Sequence, residues 1–159
     1  MKKAEKTERT KERILQAAME EFGRKGYAAA TIGAICSEHG IAKGLLYHNF
    51  VGKDDLYLAC VSRCFDDVTA YLQGQNLGAD LHRYMEYRFR YFSDHPLCAG
   101  LFFEAVLQPP AALVSAIRER KRAFDQLNQR IYREALSAMK LRREVTEAEA
   151  LEYYAIMQE

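Results

Sequence analysis

The stretch "GIAKGLLYHNF", residues 40–50, decides how the chain is read. It holds two glycines, a lysine, a tyrosine, a histidine and an asparagine, together with Leu45, Leu46 and Phe50. On a short helix from Lys43 to Phe50, Leu46 and Phe50 stand four apart and share one face. Lys43, Gly44, Leu45, Tyr47 and His48 then look the other way. Upstream lies "ATIGAICSEHG", residues 30–40. There Thr31 is suited to cap a second short helix, Ile32, Ile35 and Cys36 form its inner face, and Gly40 closes it. Two short helices across a glycine turn, behind a supporting helix, make a helix-turn-helix. In that motif the second short helix enters the DNA major groove, so it needs one apolar face and one polar face. The plainer reading is a helical corner with solvated polar residues, and spacing alone divides the two about evenly.

Working outward, helical spacing recurs nearly everywhere, prolines number three, and β-branched runs are absent, which predicts an all-α fold. The first helix is expected over about residues 8–24, with Ile14, Ala18 and Phe22 at four-residue steps and Gly26 just past its end. A long fourth helix begins at Lys53, where Asp54 and Asp55 complement the helix dipole. "QGQNLGAD" is the clearest break in the chain. Asp80 caps a fifth helix to about Asp94, and His95-Pro96 stops it. A sixth covers about 97–107, Pro109-Pro110 opens a long seventh, and Thr146 with Glu149 forms a capping box for an eighth.

Composition narrows the function. No apolar run approaches the roughly 20 residues of a membrane span, and the charged start "MKKAEKTERTKER" is unlike a signal peptide. A cytoplasmic protein with reduced thiols and no membrane partner is expected. Net charge is +1 overall, but residues 1–53 carry ten basic and six acidic groups and the remainder thirteen and sixteen. A basic head on an acidic body suits a polyanion at the head.

Residues 10–57 resemble the N-terminal domain of the TetR family of bacterial transcriptional repressors. The resemblance rests on "ILQAAMEEFGRKGYAAATIGAICSEHGIAKGLLYHNFVGKDDLY". Its marks are Tyr27 after the helix-closing glycine, the Thr-Ile opening of the second helix, the glycine turn, the "KG-L-Y--F" core of the third helix, and the Lys-acid-acid-Leu start of the fourth. It implies a three-helix DNA-binding domain over 1–53 and a helical effector-binding and dimerisation domain over 54–159. It further implies that Thr31 holds a phosphate, that Lys43, Gly44 and Leu45 face bases, that Tyr47 and His48 reach phosphate or a base edge, and that Lys53 grips phosphate. The partners implied are a double-stranded DNA operator, a second copy of the chain as a homodimer, and a small-molecule effector of hydrophobic or aromatic, and in one reading anionic, character. No cofactor is expected. The chain departs from the family at Ala42 and Gly52, where capping hydroxyls are usual, and at Leu45, where Thr is frequent. Family members dimerise through their last two helices; here the eighth helix ends without a cap signal, so part of the dimer surface is expected to be missing.

In the body, Arg88 has Tyr84, Met85, Tyr91 and Phe92 at the three- and four-residue steps that share its face. A guanidinium so placed is partly buried and needs an anionic partner. Glu104 on the sixth helix is the first expectation; the alternative is the anion of an apolar ligand. The effector-contact set expected is therefore Tyr84, Arg88, Tyr91, Phe92, Phe103 and Glu104. Cys60 and Cys64, with Asp67 a step beyond, have the spacing of a metal or thiol sensor, although small core residues are the plainer reading. No constellation supports catalysis, which leaves a non-enzymatic regulator, with a helical protein-interaction module as the other reading that Ala42 and Leu45 favour.

Overall fold

The computed structural model describes residues 3–139 and 144–156. Among them are eight α-helices and no strand: α1 Lys3–Ala29, α2 Ile32–Glu38, α3 Lys43–Asn49, α4 Lys53–Gln73, α5 Leu81–Asp94, α6 Pro96–Leu107, α7 Val114–Ala138 and α8 Glu147–Ile156, with a 3-10 turn at Ala111–Leu113 before α7. The all-α expectation and the order of elements hold. Asp80 caps α5 by accepting from Arg83 N at 3.0 Å. The capping box at α8 is closed both ways, Thr146 N donating to Glu149 at 2.8 Å and Glu149 N to Thr146 Oγ1 at 3.2 Å. Residues 157–159, into which the expected eighth helix ran, lie outside the described residues.

The first helix is longer than its apolar spacing predicted. "KAEKTERTKER" is rich in Ala, Glu, Lys and Arg, strong helix formers, so α1 extends back to Lys3 with no core to cover. At the other end α1 breaks at Gly26, whose φ of 74° and ψ of 171° suit glycine alone. Tyr27, Ala28 and Ala29 form a last turn beyond the break, and Ala30 N closes it on Gly26 O at 3.1 Å.

One core runs through both ends of the chain. Ile14, Ala18 and Phe22 of α1, Ile35 of α2, Leu46 of α3, Leu56 and Phe65 of α4, Phe102 of α6 and Phe124 of α7 belong to a single buried cluster. The crossing of α1 and α6 is close enough to need glycine on both sides. A Cβ at Gly100 would stand 2.5 Å from Gly23 O, and one at Gly23 would stand 2.8 Å from Leu97 O. α1, which carries α2 and α3, therefore rests backbone to backbone on the middle of the body.

Candidate functional site

The turn between α2 and α3 is built by local chemistry. Gly40 takes φ 59°, and Ile41 N donates back to Cys36 O at 2.9 Å, the pattern that ends a helix with a left-handed residue. Ile41 follows and is buried. Arg13 Nη2 reaches from α1 to the carbonyls of His39 and Gly40 at 2.9 and 3.1 Å, so the turn is fixed to the supporting helix. At the start of α2, Thr31 Oγ1 accepts from Ala34 N at 3.0 Å. Buried Glu21 pairs with Lys25 at 2.8 Å, and Lys25 also reaches Glu38 of α2 at 3.5 Å.

On α3 the two faces separate as the spacing predicts. Leu46 is fully buried and Phe50 nearly so, while Lys43, Gly44, Leu45, Tyr47 and His48 are all exposed. Ala42 gives α3 no side-chain cap. Leu45 and Tyr47 are 40% and 54% exposed, so this short helix offers apolar and aromatic surface beside its lysine. Lys53 stands at the start of α4 against the end of α1. Its ammonium sits 4.5 Å from the centre of the Tyr27 ring and donates to Ala28 O at 3.4 Å.

Tyr27 is the junction of head and body. Its hydroxyl donates to Asp54 of α4 at 2.5 Å, which pushes the phenol above its ordinary pKa. Its backbone N–H donates to both carboxylate oxygens of Glu104, at 2.9 and 3.1 Å, and the buried Tyr57 hydroxyl donates to the same carboxylate at 3.0 Å. Glu104 thus caps the broken end of α1 from α6.

That placement overturns the expected Arg88–Glu104 pair. On α6, Leu97, Gly100 and Glu104 follow at three- and four-residue steps and face α1, whereas Phe102 and Val106 lie on another side. Arg88 belongs to the Phe102 side. Its guanidinium carbon stands 5.6 Å from the Phe102 ring centre and 5.4 Å from that of Phe124. Among the described residues no carboxylate makes an ion pair with it. There a cleft of about 530 Å³ opens between α5, α6, α7 and α8, walled by Arg88, Phe102, Phe124, Asn128, Tyr132 and Leu151 among others.

Of the six residues expected around an effector, Arg88 lines this cleft and Tyr84 stands behind it, its hydroxyl bonded to Asn128. Tyr91 and Phe92 are packed into the core: Tyr91 stacks on His95 at 4.3 Å and Phe92 packs on Phe102 at 4.6 Å. Phe103 and Glu104 border a separate groove beside Gly23 and Gly26. Sequence reasoning missed Phe124, Asn128 and Tyr132. Their spacing of four along α7 was the available signal, because it sets an asparagine in an otherwise apolar stripe.

The four cysteines are buried and unpaired. Burial pushes the Cys60 thiol up, and the adjacent Cys98 thiol together with burial pushes Cys64 up. Among the described residues no group of three or more His, Cys, Asp or Glu is placed to hold a metal. Iodoacetamide at neutral pH should leave all four thiols unmodified in the native protein and modify all four in denaturant. Rapid native labelling of Cys60 or Cys64 would restore the thiol-sensor reading.

A supporting helix, a fixed glycine turn and an outward-facing short helix define a helix-turn-helix DNA-binding head on a helical body. Residues 14–60 match the family described as bacterial regulatory proteins, tetR family, so the match falls on this head. The HTH-type transcriptional regulator UidR of Escherichia coli K12 is 42% identical over 52 residues, which cover 33% of this chain and 26% of UidR. The chain thus spans about a quarter of the length of that curated relative. Among solved structures, a tetR-family regulatory protein from Rhodococcus RHA1 superposes with a TM-score of 0.71 at 21% identity, over 92% of this chain and 80% of that one. The regulator FadR from Bacillus subtilis, solved with stearoyl-CoA, gives a TM-score of 0.69 at 16% identity, over 90% and 80%. These likenesses extend the shared fold through the body. Among the described residues no single helix is long and apolar enough to cross a membrane.

Proposed function

We propose that the protein is a ligand-responsive transcriptional regulator of the cytoplasm. It acts as a homodimeric repressor that binds a near-palindromic double-stranded operator and is released by a small molecule. The observation that carries this reading is the outward row of Lys43, Gly44, Leu45, Tyr47 and His48 on a helix anchored by Leu46. In it, residues 1–53 read DNA and residues 54–159 receive the ligand and the partner copy. Thr31, Tyr47, His48 and Lys53 position the head on phosphates or a base edge, and only the groove-facing residues Lys43, Gly44 and Leu45 select sequence.

Coupling runs through α6. Phe102 and Val106 face the cleft, while Glu104 on the same helix holds Tyr27 at the end of α1. A ligand that shifts α6 therefore moves the point on which the head rests. Release requires the ligand to prefer the DNA-incompetent arrangement; a hundredfold preference corresponds to about 2.7 kcal/mol of coupling.

A binding-site selection with the ligand-free protein, followed by gel shifts at low salt, tests the head. Lys53→Ala should weaken binding to every sequence and reduce the salt dependence, since it removes about one phosphate interaction. Leu45→Ala should instead change base preference by about 1 kcal/mol if the leucine meets a thymine methyl. A selection that returns no preferred site would favour the second reading, a helical protein-interaction module, for which the uncapped α3 and exposed Leu45 are the supporting observations.

A further inference from the structure

The cleft between α5 and α8 has an electrostatic peculiarity that its apolar walls do not require. Arg88 is only 7% exposed. A charge so far out of water needs a partner, yet its surroundings are the rings of Phe102 and Phe124 and the Tyr84 hydroxyl, a phenol that burial pushes up against the opposing pull of the guanidinium. Cation–π contact recovers part of the lost hydration but uses the faces of the guanidinium, and the neutral Tyr84 hydroxyl beside it can take only a share of its five N–H donors. A second buried polar group stands at the same cleft. Among the described residues the hydroxyl of Tyr132, a residue 4% exposed, has no hydrogen-bond partner. Buried donors without acceptors are uncommon in folded proteins, and one beside a buried cation that makes no ion pair marks a place for an anionic acceptor from outside.

We propose that this cleft is a receptor for a small monocarboxylate with a flat apolar body. The proposal rests on the reading of the body as the ligand-receiving part of a regulator. The carboxylate lies against Arg88 in the forked geometry that guanidinium and carboxylate share, and it accepts from the Tyr132 hydroxyl. The body of the ligand lies along Phe102, Phe124 and Leu151. A single negative charge is favoured because, among the described residues lining the cleft, Arg88 is the one buried cation and makes no ion pair. Lys121 is already bound to Asp125 at 2.8 Å, and the rim carries one exposed cation, Arg133, and one exposed anion, Glu152. A doubly charged phosphate monoester would bring one charge more than the site neutralises. The cleft volume, about 530 Å³, lies in the range of small-ligand sites and exceeds what a bicyclic ring needs.

Isothermal titration of the full chain, without DNA, with three probes of one shape tests this. The probes are naphthalene-2-carboxylate, naphthalene-2-methanol and 2-naphthyl phosphate. The carboxylate should bind at least tenfold tighter than the alcohol and tighter than the phosphate. Arg88→Met should remove the preference for the carboxylate while the circular dichroism spectrum is retained, and Tyr132→Phe should weaken carboxylate binding several-fold. Should Arg88→Met fail to fold, Arg88→Lys keeps the charge but loses the fork, and its carboxylate preference should fall. Equal affinity for carboxylate and alcohol, tighter binding of the phosphate, or no binding of any probe would overturn the proposal. Because the readout contains no DNA, a failed gel shift would count against the regulator reading and leave this result standing.

Discussion

Glu104→Ala should lower the melting temperature by about 5–15 °C and weaken operator binding further than that loss of stability explains. The carboxylate accepts from Tyr27 N at 2.9 Å and from the fully buried Tyr57 hydroxyl at 3.0 Å. Truncation strands both donors, and each buried donor left without an acceptor costs about 1–3 kcal/mol. Because Glu104 is half-buried, water can replace part of what is lost, so a total of about 2–4 kcal/mol is expected. For a domain of this size 1 kcal/mol moves the melting temperature by about 2–4 °C. Glu104→Gln keeps one acceptor oxygen and should lose roughly half as much. The effect on DNA follows from position: with Tyr27 released, the last turn of α1 beyond Gly26 no longer has a fixed pose, and α2 follows it directly. Thermal melts by circular dichroism and gel shifts below the melting range read the two effects separately. An Ala variant that melts with the parent would show that the carboxylate is not the cap it is taken for.

How legible these features were differs between head and body. In the head, each step is local: Thr31 caps, Gly40 turns, and Leu46 with Phe50 selects the buried face, so the periodicity of eleven residues gave both the helix and the side that reaches outward. Helix caps at Asp80 and Thr146 were legible for the same reason, since the partner lies three residues away. The start of α1 was not, because helix formation there follows propensity rather than burial. The partner of Arg88 was not legible either. It depends on which side of α6 turns toward α5, and that is fixed by the close crossing of Gly23 and Gly100, seventy-seven residues apart in the chain. Both glycines looked unremarkable in sequence, one inside each helical pattern. The crossing sends Glu104 to α1 and Phe102 to Arg88, and so exchanges an expected ion pair for a junction on one side of α6 and an open cleft on the other.

The same crossing makes Gly100→Ala the sharper perturbation of the whole assembly. On an isolated helix the change would stabilise by up to about 1 kcal/mol, because alanine loses less backbone entropy. Here the new Cβ would stand 2.5 Å from Gly23 O, a backbone atom that no side-chain rotation can move. A carbon rests against a carbonyl oxygen at about 3.3 Å or more, so α1 and α6 must part by almost an ångström along their line of contact. Overpacking of this kind costs about 1–3 kcal/mol, which outweighs the gain in propensity and leaves a net loss. The larger consequence is geometric. Parting the helices shifts α1 on the body, draws Tyr27 away from Glu104 and, in the homodimer proposed above, changes the separation of the two heads. Operator affinity should therefore fall by tenfold or more, while the affinity of a single head for a half-site changes little. Gly44→Ala provides the opposite dissociation. It meets nothing within 4 Å and sits on an exposed helix, so it should raise stability slightly. If the groove approaches the backbone at Gly44, the same change should weaken half-site binding. Melting curves with gel shifts on full and half operators distinguish the two variants, and a Gly100→Ala protein with parental stability and full-operator affinity would mean that the helices part at no cost to the head.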